Sequence, residues 1–311
     1  MIGTETWWSA LAEAVEPATV LRRDEPLAPK TTMRVGGPAR FYAEPASVAD
    51  LVLIRAAARE AEVECFFLGR GSNLIVMDAG FDGLVIRLHG KPWRDVRREG
   101  DALVAMAGAR LKRICAVATA EGFDGFAFLE GIPGTLGGSL RMNAGAMGGW
   151  IFDLVESVRC LEEDGSVTEH PRSFFAAGYR SCPQLCTRVA LSARLQSGGV
   201  GEPLSIRAQV DNYATKRRAS QPREPSAGCI FKNPPGDYAG KLVDELGFKG
   251  TGEGGAMVSP VHGNFIVNTG GTRAEDILAL VRRIRARART ERGVELEPEA
   301  LLLGAKWEDV L

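Results

Sequence analysis

Two small-residue tracts decide how this chain is read: Gly69-Arg-Gly-Ser-Asn-Leu74 and, farther along, Gly131-Ile-Pro-Gly-Thr-Leu-Gly-Gly-Ser-Leu-Arg-Met-Asn-Ala-Gly145. In the first, glycines let successive backbone N–H groups converge, and Ser72 and Asn73 add donors. Such a nest binds a pyrophosphate without a lysine. The same residues suit a plain strand-to-loop turn that needs φ > 0. In the second tract nine of fifteen residues are Gly, Ala, Ser, Thr or Asn. Two such loops closing on one diphosphate point to a dinucleotide. The standard cradles are missing. No Gly-x-Gly-x-x-Gly opens a helix after a first strand, and Gly236-Asp-Tyr-Ala-Gly-Lys241 is one residue short of a P-loop. There is no Gly-x-Ser-x-Gly elbow and no His-Glu-x-x-His.

Outward from these tracts, strands and helices alternate irregularly, which gives an α+β class. Helices are expected over 4–15 (capped by Thr4), 47–60, 110–121 and 204–218, with shorter ones at 239–246 and a long one from a Thr272-Arg-Ala-Glu275 capping box to Arg292. Gly122 and Gly247 sit where helix-ending glycines belong. Apolar strands are expected at 65–68, 84–88, 102–107, 189–195 and 265–267, with a hairpin pairing 155–161 and 166–169. In 294–303, Leu296, Pro298, Ala300 and Leu302 alternate with Glu295, Glu297 and Glu299, which reads as one strand with a solvated acidic face. Gly198-Gly-Val-Gly-Glu-Pro203 is the best linker. The expected division is an N-terminal lead-in over 1–24, a first domain over 25–200 split near 90–100, and a C-terminal domain over 201–311.

Composition excludes several classes. With 38 Lys+Arg against 39 Asp+Glu the chain is near neutral, so nothing draws it to nucleic acid or an anionic membrane. No apolar run approaches the ~18–20 residues of a membrane span. The start, MIGTETWWSALAEAVEP, lacks a basic n-region, so no secretory signal is expected. Six cysteines without a Cys-x-x-Cys pair, and only three histidines (His89, His170, His262), argue against a disulfide scaffold and a metal site. A reducing cytoplasm is the expected setting. The six arginines from Arg282 to Arg292 read as a solvated helix face. Lys216-Arg-Arg218 either complements a helix C-terminus or reaches a phosphate.

Further blocks appear in order: Thr31-Thr-Met-Arg-Val-Gly-Gly-Pro38, Tyr179-Arg180, Ser226-Ala-Gly-Cys-Ile-Phe-Lys-Asn-Pro234, His262-Gly-Asn-Phe-Ile-Val-Asn268 and Leu296-Glu-Pro-Glu299. Together with the two Gly-rich tracts they resemble the UDP-N-acetylenolpyruvoylglucosamine reductase family over about residues 25–304. Only nine residues separate Arg180 from the strand near Ala190, so the chain is similar to the family's shorter, second type. The resemblance implies a vanillyl-alcohol-oxidase-type (PCMH-type) FAD-binding fold in two subdomains, followed by a C-terminal α+β substrate-binding domain. It implies non-covalent FAD, NADPH as co-substrate, a UDP-sugar enolpyruvyl substrate, a monomer, and a place in cytoplasmic peptidoglycan precursor synthesis.

The implied reaction passes hydride from NADPH to flavin N5, and from there to the enolpyruvyl β-carbon, with a proton delivered to the α-carbon. Arg180 is implied to face the substrate carboxylate, which a guanidinium matches in a bidentate way. Glu299 is implied beside the developing enol. Cys229 stands where the family carries a serine proton donor. A thiol, pKa about 8.5 when unperturbed, is a stronger acid than an alkyl hydroxyl, and a positioned acid is worth roughly 10²–10⁴ in rate. FAD contacts are implied for Gly69, Arg70, Gly71, Ser72, Asn73 and Leu74, and for Pro133, Gly134, Thr135, Gly137, Asn143, Ala144 and Gly145. Substrate contacts are implied for Tyr179, Lys232, Asn233, His262 and Asn264; no metal is. Smaller departures from the family pattern are Met147, Cys182 and Gly263. Two alternatives stay open. A flavin oxidase of the same superfamily would use O₂, and many of those tether flavin through a histidine in the first Gly-rich loop, whereas Gly69–Val76 contains none. A nucleotide-sugar-binding module without activity finds support only in Cys229.

Overall fold

Local sequence signals set most elements. The computed structural model describes residues 6–311. Ser47 caps the helix Val48–Glu60 by accepting from Asp50 N–H at 3.2 Å, and Gly122 follows the helix Leu111–Ala120 at φ 71°. The first helix is Thr6–Ala14, burying Trp7, Trp8 and Leu11; its expected cap, Thr4, lies outside the described residues. The chain divides into two compact units that are discontinuous in sequence. Among the described residues one comprises 6–22, 42–69 and 83–217, the other 23–41, 70–82 and 218–311; the division expected from sequence is linear, with boundaries at 24/25 and 200/201.

The larger unit is built on a five-stranded antiparallel sheet. Its order is Val167–Pro171, Val155–Leu161, Val189–Gln196, Ala102–Met106 and Val96–Glu99. Val158 pairs with His170 on one side and Ala193 on the other, and Ala193 with Ala105 beyond. The expected hairpin is the first of these pairings. Leu111, Ile114, Cys115 and Ala118 recur at helical spacing and join Leu103, Val158 and Leu195 in one core. Residues 42–44, 65–67 and 83–86 of this unit belong to a sheet of order Val20–Pro26, Pro38–Glu44, Phe81–Ile86, Cys65–Phe67, in which Cys65 pairs in parallel with Leu84. The helix Pro203–Ser220 buries Ile206, with Val210 and Tyr213 partly buried on the same core.

The second unit has its own core, which includes Met33, Ile75, Ile230, Phe231, Val243 and Ile277. Its antiparallel sheet runs Ser226–Cys229, Phe265–Asn268, Ala256–Val258, Gly252–Glu253. The helix Ala274–Arg292 lays Ile277, Val281, Ile284 and Ala288 into that core and ends at Gly293, φ 64°. Its arginines pair with acids on the surface: Arg283 with Glu253, Arg287 with Glu291, Arg292 with Glu245.

Two local expectations need correction. The capping box starts one residue later than expected: Asp276 accepts from Arg273 N–H at 2.9 Å. Thr272 is occupied elsewhere, its hydroxyl donating to Asn268 Oδ1 at 2.8 Å. Asp78 adds a second cap, accepting from Ala274 N–H at 2.9 Å. The strand expected over 294–303 is reduced to Leu301–Leu303, paired in parallel with Leu74–Val76. Pro298 has no N–H to give, and the next two amides, of Glu299 and Ala300, both go to the Ile230 carbonyl, at 2.7 and 3.4 Å. Two consecutive donors on one acceptor break the alternation. Glu295 and Glu297 remain exposed and Glu299 turns inward, 9% exposed.

Gly36 has φ 107°, and a Cβ there would lie 2.4 Å from Val76 Cβ. Gly36→Ala is expected to lower stability by about 2–4 kcal/mol through backbone strain plus overpacking, read as an earlier urea midpoint by far-UV circular dichroism.

Candidate active site

The expected site residues fall in both units. In the larger unit the second Gly-rich tract lies directly on the sheet. Leu136 N–H donates to Ala109 O and Gly137 N–H to Ala107 O, at 2.9 and 2.8 Å. A Cβ on Gly137 would sit 3.2 Å from Ala107 Cβ, and one on Gly134 2.9 Å from Ser139 Oγ. Gly69, the first residue of the other tract, meets this one: its missing Cβ would be 2.7 Å from Thr135 Oγ1. Gly69 and Thr135 are therefore neighbours, and the hydroxyls of Thr135 and Ser139 are buried. Backbone this bare of side chains, next to buried hydroxyls, fits a cofactor carrying phosphate.

Farther along the tract, Asn143 has φ 38° and is 6% exposed. Its Nδ2 donates to Gly178 O at 3.0 Å and its Oδ1 accepts from Phe152 N–H at 3.4 Å. Gly178 and Ser181 close a tight turn on each other, with N–H to O distances of 2.9 and 3.3 Å. Tyr179 and Arg180 are its two central residues. Arg180 is half-buried with φ 53°, a left-handed conformation that a long side chain rarely adopts. Its guanidinium carbon stands 5.5 Å from the Tyr179 ring centre, and Tyr179 meets Trp150 edge-on at 6.1 Å. Trp150 in turn covers Gly145, where a Cβ would be 2.5 Å from the indole. The sequence reading missed Trp150. Its spacing of five residues from Gly145, in a stretch ending Gly148-Gly-Trp150, was the available signal.

In the second unit the remaining candidates hang on one short backbone segment. Cys229 is half-buried at the end of Ser226–Cys229. Gly228, before it, has φ 76° and approaches Ser72 O, 3.5 Å from where its Cβ would be. Thr32 donates its hydroxyl to Ser226 O at 2.7 Å and lies 3.2 Å from Gly71 O. It ties the first Gly-rich loop to the Cys229 strand and was not singled out from sequence. Asn73 Nδ2 donates to Glu299 O at 3.1 Å, and Leu301 N–H to Asn73 O at 2.9 Å. Among the described residues the N–H groups of Gly71, Ser72 and Asn73 donate to nothing, and all three residues are half-buried. A run of available donors is what an anion-binding nest requires.

Other expected substrate contacts direct their polar atoms to the chain. Asn233 Oδ1 accepts from Ala239 N–H at 3.1 Å, at the start of the helix Ala239–Glu245. Lys232 pairs with Glu297. His262 Nδ1 lies 3.1 Å from Asn264 N, placed to accept its N–H; the ring packs edge-on to Phe265 at 5.0 Å and against Gly240. Burial, with Lys249 nearby, holds its pKa below the ordinary imidazole value. Both amide atoms of Asn264 bond the Phe231 backbone.

The thiols separate by environment. Burial pushes Cys65 and Cys115 up to about 11 and Cys160 to about 12, and raises Cys182 as well. Such thiols form little thiolate near neutral pH. Cys186 is exposed and Cys229 half-buried. Among the described residues no cluster of His, Cys, Asp or Glu could hold a metal, and no helix is long and apolar enough to cross a membrane.

Comparison with known proteins gives this arrangement its class. Residues 39–170 match the model of an FAD binding domain, and residues 221–303 that of the C-terminal domain of UDP-N-acetylenolpyruvoylglucosamine reductase. The chain is a flavin-dependent oxidoreductase, with an FAD-binding fold and a separate C-terminal domain. A UDP-N-acetylenolpyruvoylglucosamine reductase of Anaeromyxobacter dehalogenans (strain 2CP-1) is 42% identical over 309 residues, 98% of this chain and 92% of the relative. That of Moorella thermoacetica is 39% identical over 284 residues, covering 90% and 92%. The crystal structure of the Thermus caldophilus enzyme superposes with a TM-score of 0.79 at 34% identity, covering 91% of this chain and all of that one. The chain belongs to the UDP-N-acetylenolpyruvoylglucosamine reductase family.

With three histidines in the chain, imidazole titrations are readily assigned by NMR. His262 is expected to titrate below the ordinary value. Its neutral form is the one the fold favours, so acidification below that ordinary value costs stability. A His262 midpoint at or above the ordinary value would contradict the burial described here.

Proposed function

We propose that the chain reduces UDP-N-acetylglucosamine enolpyruvate to UDP-N-acetylmuramate with NADPH, as a cytoplasmic step of peptidoglycan precursor synthesis, using non-covalently held FAD. The observation that carries the reading is the coupling of Glu299 to the Cys229 strand. Glu299 is buried, and its N–H bonds the carbonyl of Ile230, the residue after Cys229. In a family member, this couples a carboxyl to the position of the proton donor.

The residues proposed to hold FAD are Gly69–Leu74 with Pro133, Gly134, Thr135 and Gly137. When bound, FAD supplies the two-electron carrier that takes reducing equivalents from NADPH and delivers them to the β-carbon of the enolpyruvyl group. The chain's own task is to manage charge and a proton. As the β-carbon is reduced, negative charge develops at the α-carbon and spreads into the adjacent carboxylate. Arg180 is permanently cationic and neutralises that carboxylate. The strained turn that carries it is stapled by Asn143 and Trp150, which limits its reorganisation. Cys229 gives its S–H proton to the α-carbon, completing the lactyl ether, and the thiolate is reprotonated from solvent. Glu299 supports the developing enol. Tyr179, Lys232, Asn233 and His262 lie on the segments proposed to receive the UDP-sugar.

Purified protein is expected to be yellow and to release its flavin on acid precipitation; colour left in the pellet would favour the oxidase reading. NADPH consumption that depends on the enolpyruvyl substrate tests the whole reading. Oxygen consumption without that substrate would favour the oxidase, and neither activity the binding module.

Arg180→Ala and Glu299→Ala are each expected to spare flavin reduction by NADPH and to slow reoxidation by substrate. Stopped-flow absorbance resolves the two phases, and equal slowing of both would assign these side chains to structure. Cys229→Ala is expected to lose roughly 10²–10⁴ in the second phase alone, whereas Cys229→Ser keeps substantial activity. In the wild type the second phase should fall at alkaline pH as the thiol ionises, a limb absent from the Ser variant. An alkylating reagent should mimic Ala when applied in a Cys186→Ser background, and bound substrate should protect. Wild-type turnover by Cys229→Ala would sink this assignment.

A further inference from the structure

We propose that Asn264 is a positioning residue for the reductive step, its carboxamide fixing the backbone on which both Cys229 and Glu299 are mounted. The inference rests on the reductase reading above. Asn264 is 3% exposed. Its Oδ1 accepts from Phe231 N–H at 2.9 Å and its Nδ2 donates to Phe231 O at 2.8 Å, while its own backbone carbonyl accepts from Ile230 N–H at 2.9 Å. One residue thus satisfies three of the four backbone polar groups of Ile230–Phe231. The fourth, the Ile230 carbonyl, is the group that receives Glu299 N–H at 2.7 Å.

The chemistry explains why an amide stands here. Ser226–Cys229 pairs with Phe265–Asn268, but its register shifts between Ser226 and Cys229. Beyond the Cys229–Phe265 pair and the Ile230 N–H bond to Asn264 O, a side chain takes over the ladder at Phe231. A carboxamide presents one donor and one acceptor side by side, as a peptide group of a neighbouring strand does. Among side chains that are neutral near pH 7, no other of that length offers both in one plane. The anchor is itself held, with Asn264 N–H directed at His262 Nδ1, 3.1 Å away. Cys229 precedes the clamped pair and Glu299 is bonded to it, so a slip of Ile230–Phe231 moves the proton donor and the carboxyl together. A misplacement of about 1 Å can cost a reacting geometry on the order of 10²-fold in rate.

The experiment uses flavin-loaded wild type, Asn264→Ala and Asn264→Asp, reduced with dithionite and mixed anaerobically with saturating UDP-N-acetylglucosamine enolpyruvate. In Asn264→Ala, reoxidation is expected to slow by roughly 10–100-fold and its solvent deuterium isotope effect to rise, because proton delivery from a displaced donor becomes limiting. Flavin reduction by NADPH should be unchanged. Asn264→Asp gives a signature that lost packing would not. Protonated, its carboxyl reproduces the donor–acceptor pair; ionised, it sets a second lone pair against the Phe231 carbonyl. The variant-to-wild-type ratio should therefore fall as pH rises. The titratable groups around this segment include Cys229, Glu299, Lys232, Glu297, His262, Lys249 and Asp244, and the ratio removes what surrounding groups contribute to both proteins. Independently of turnover, the Phe231 amide should exchange hydrogen faster in flavin-free Asn264→Ala.

Wild-type reoxidation by Asn264→Ala, equal slowing of both phases, or a pH-independent Asp ratio would each overturn the proposal. If Asn264→Ala does not fold, the Asp ratio decides. If reduced wild type is not reoxidised by this substrate, the reductase reading fails instead. The exchange rate of Phe231 then still tests the clamp.

Discussion

The carbonyl of Ile230 is the point on which the second unit turns. A carbonyl oxygen has two lone pairs, and this one takes the amides of both Glu299 and Ala300. That double acceptance follows from Pro298, which offers no donor of its own. It forces the chain off strict alternation, as a β-bulge does. Glu299 then faces inward and Leu301 is released to pair with Leu74. Asn73, next to Leu74, bonds the Glu299 carbonyl from the other side. The first Gly-rich loop, the acidic segment and the Cys229 strand are in this way parts of one hydrogen-bonded network.

In the larger unit the corresponding constraint is steric. Glycines at 69, 134, 137 and 145 stand where a Cβ would overlap or crowd Thr135, Ser139, Ala107 and Trp150. The small residues that suggested a phosphate loop are also what lets this loop sit on the sheet. Binding and packing demand the same residue type there, so composition alone does not separate them. Trp150 links the end of the tract to Tyr179, and Asn143 links it to Gly178, which transmits the position of the loop to the Arg180 turn.

Much of the fold was legible because its signals are local. The Ser47 cap, the glycines at 122 and 247, and the hairpin around Glu162-Glu-Asp-Gly165 each act within a few residues. What was not legible depended on distant partners. Thr272 was expected to cap a helix, but the Gly255–Asn268 region claims its hydroxyl. Glu299 was grouped with Glu295 and Glu297 because alternation assumes that each amide finds its own acceptor. Segments 23–41 and 70–82 join the C-terminal unit through long-range pairing that no periodicity records. For the candidate site, the motifs single out Arg180, Cys229 and Glu299 as candidates and leave the amides ambiguous. Asn143, Asn233 and Asn264 are equally apt to bind a ligand or a backbone, and only their hydrogen bonds distinguish the two.

Arg180 carries a consequence of a different kind. A left-handed backbone at a residue with a Cβ costs about 1–2 kcal/mol, and glycine would relieve it. Glycine would also remove the guanidinium. At this position heat resistance and charge therefore pull a lineage in opposite directions. Variants selected only to survive higher temperature would tend to discard the cation, and, under the role proposed for Arg180, variants selected only for turnover would keep the strain and compensate elsewhere in the chain.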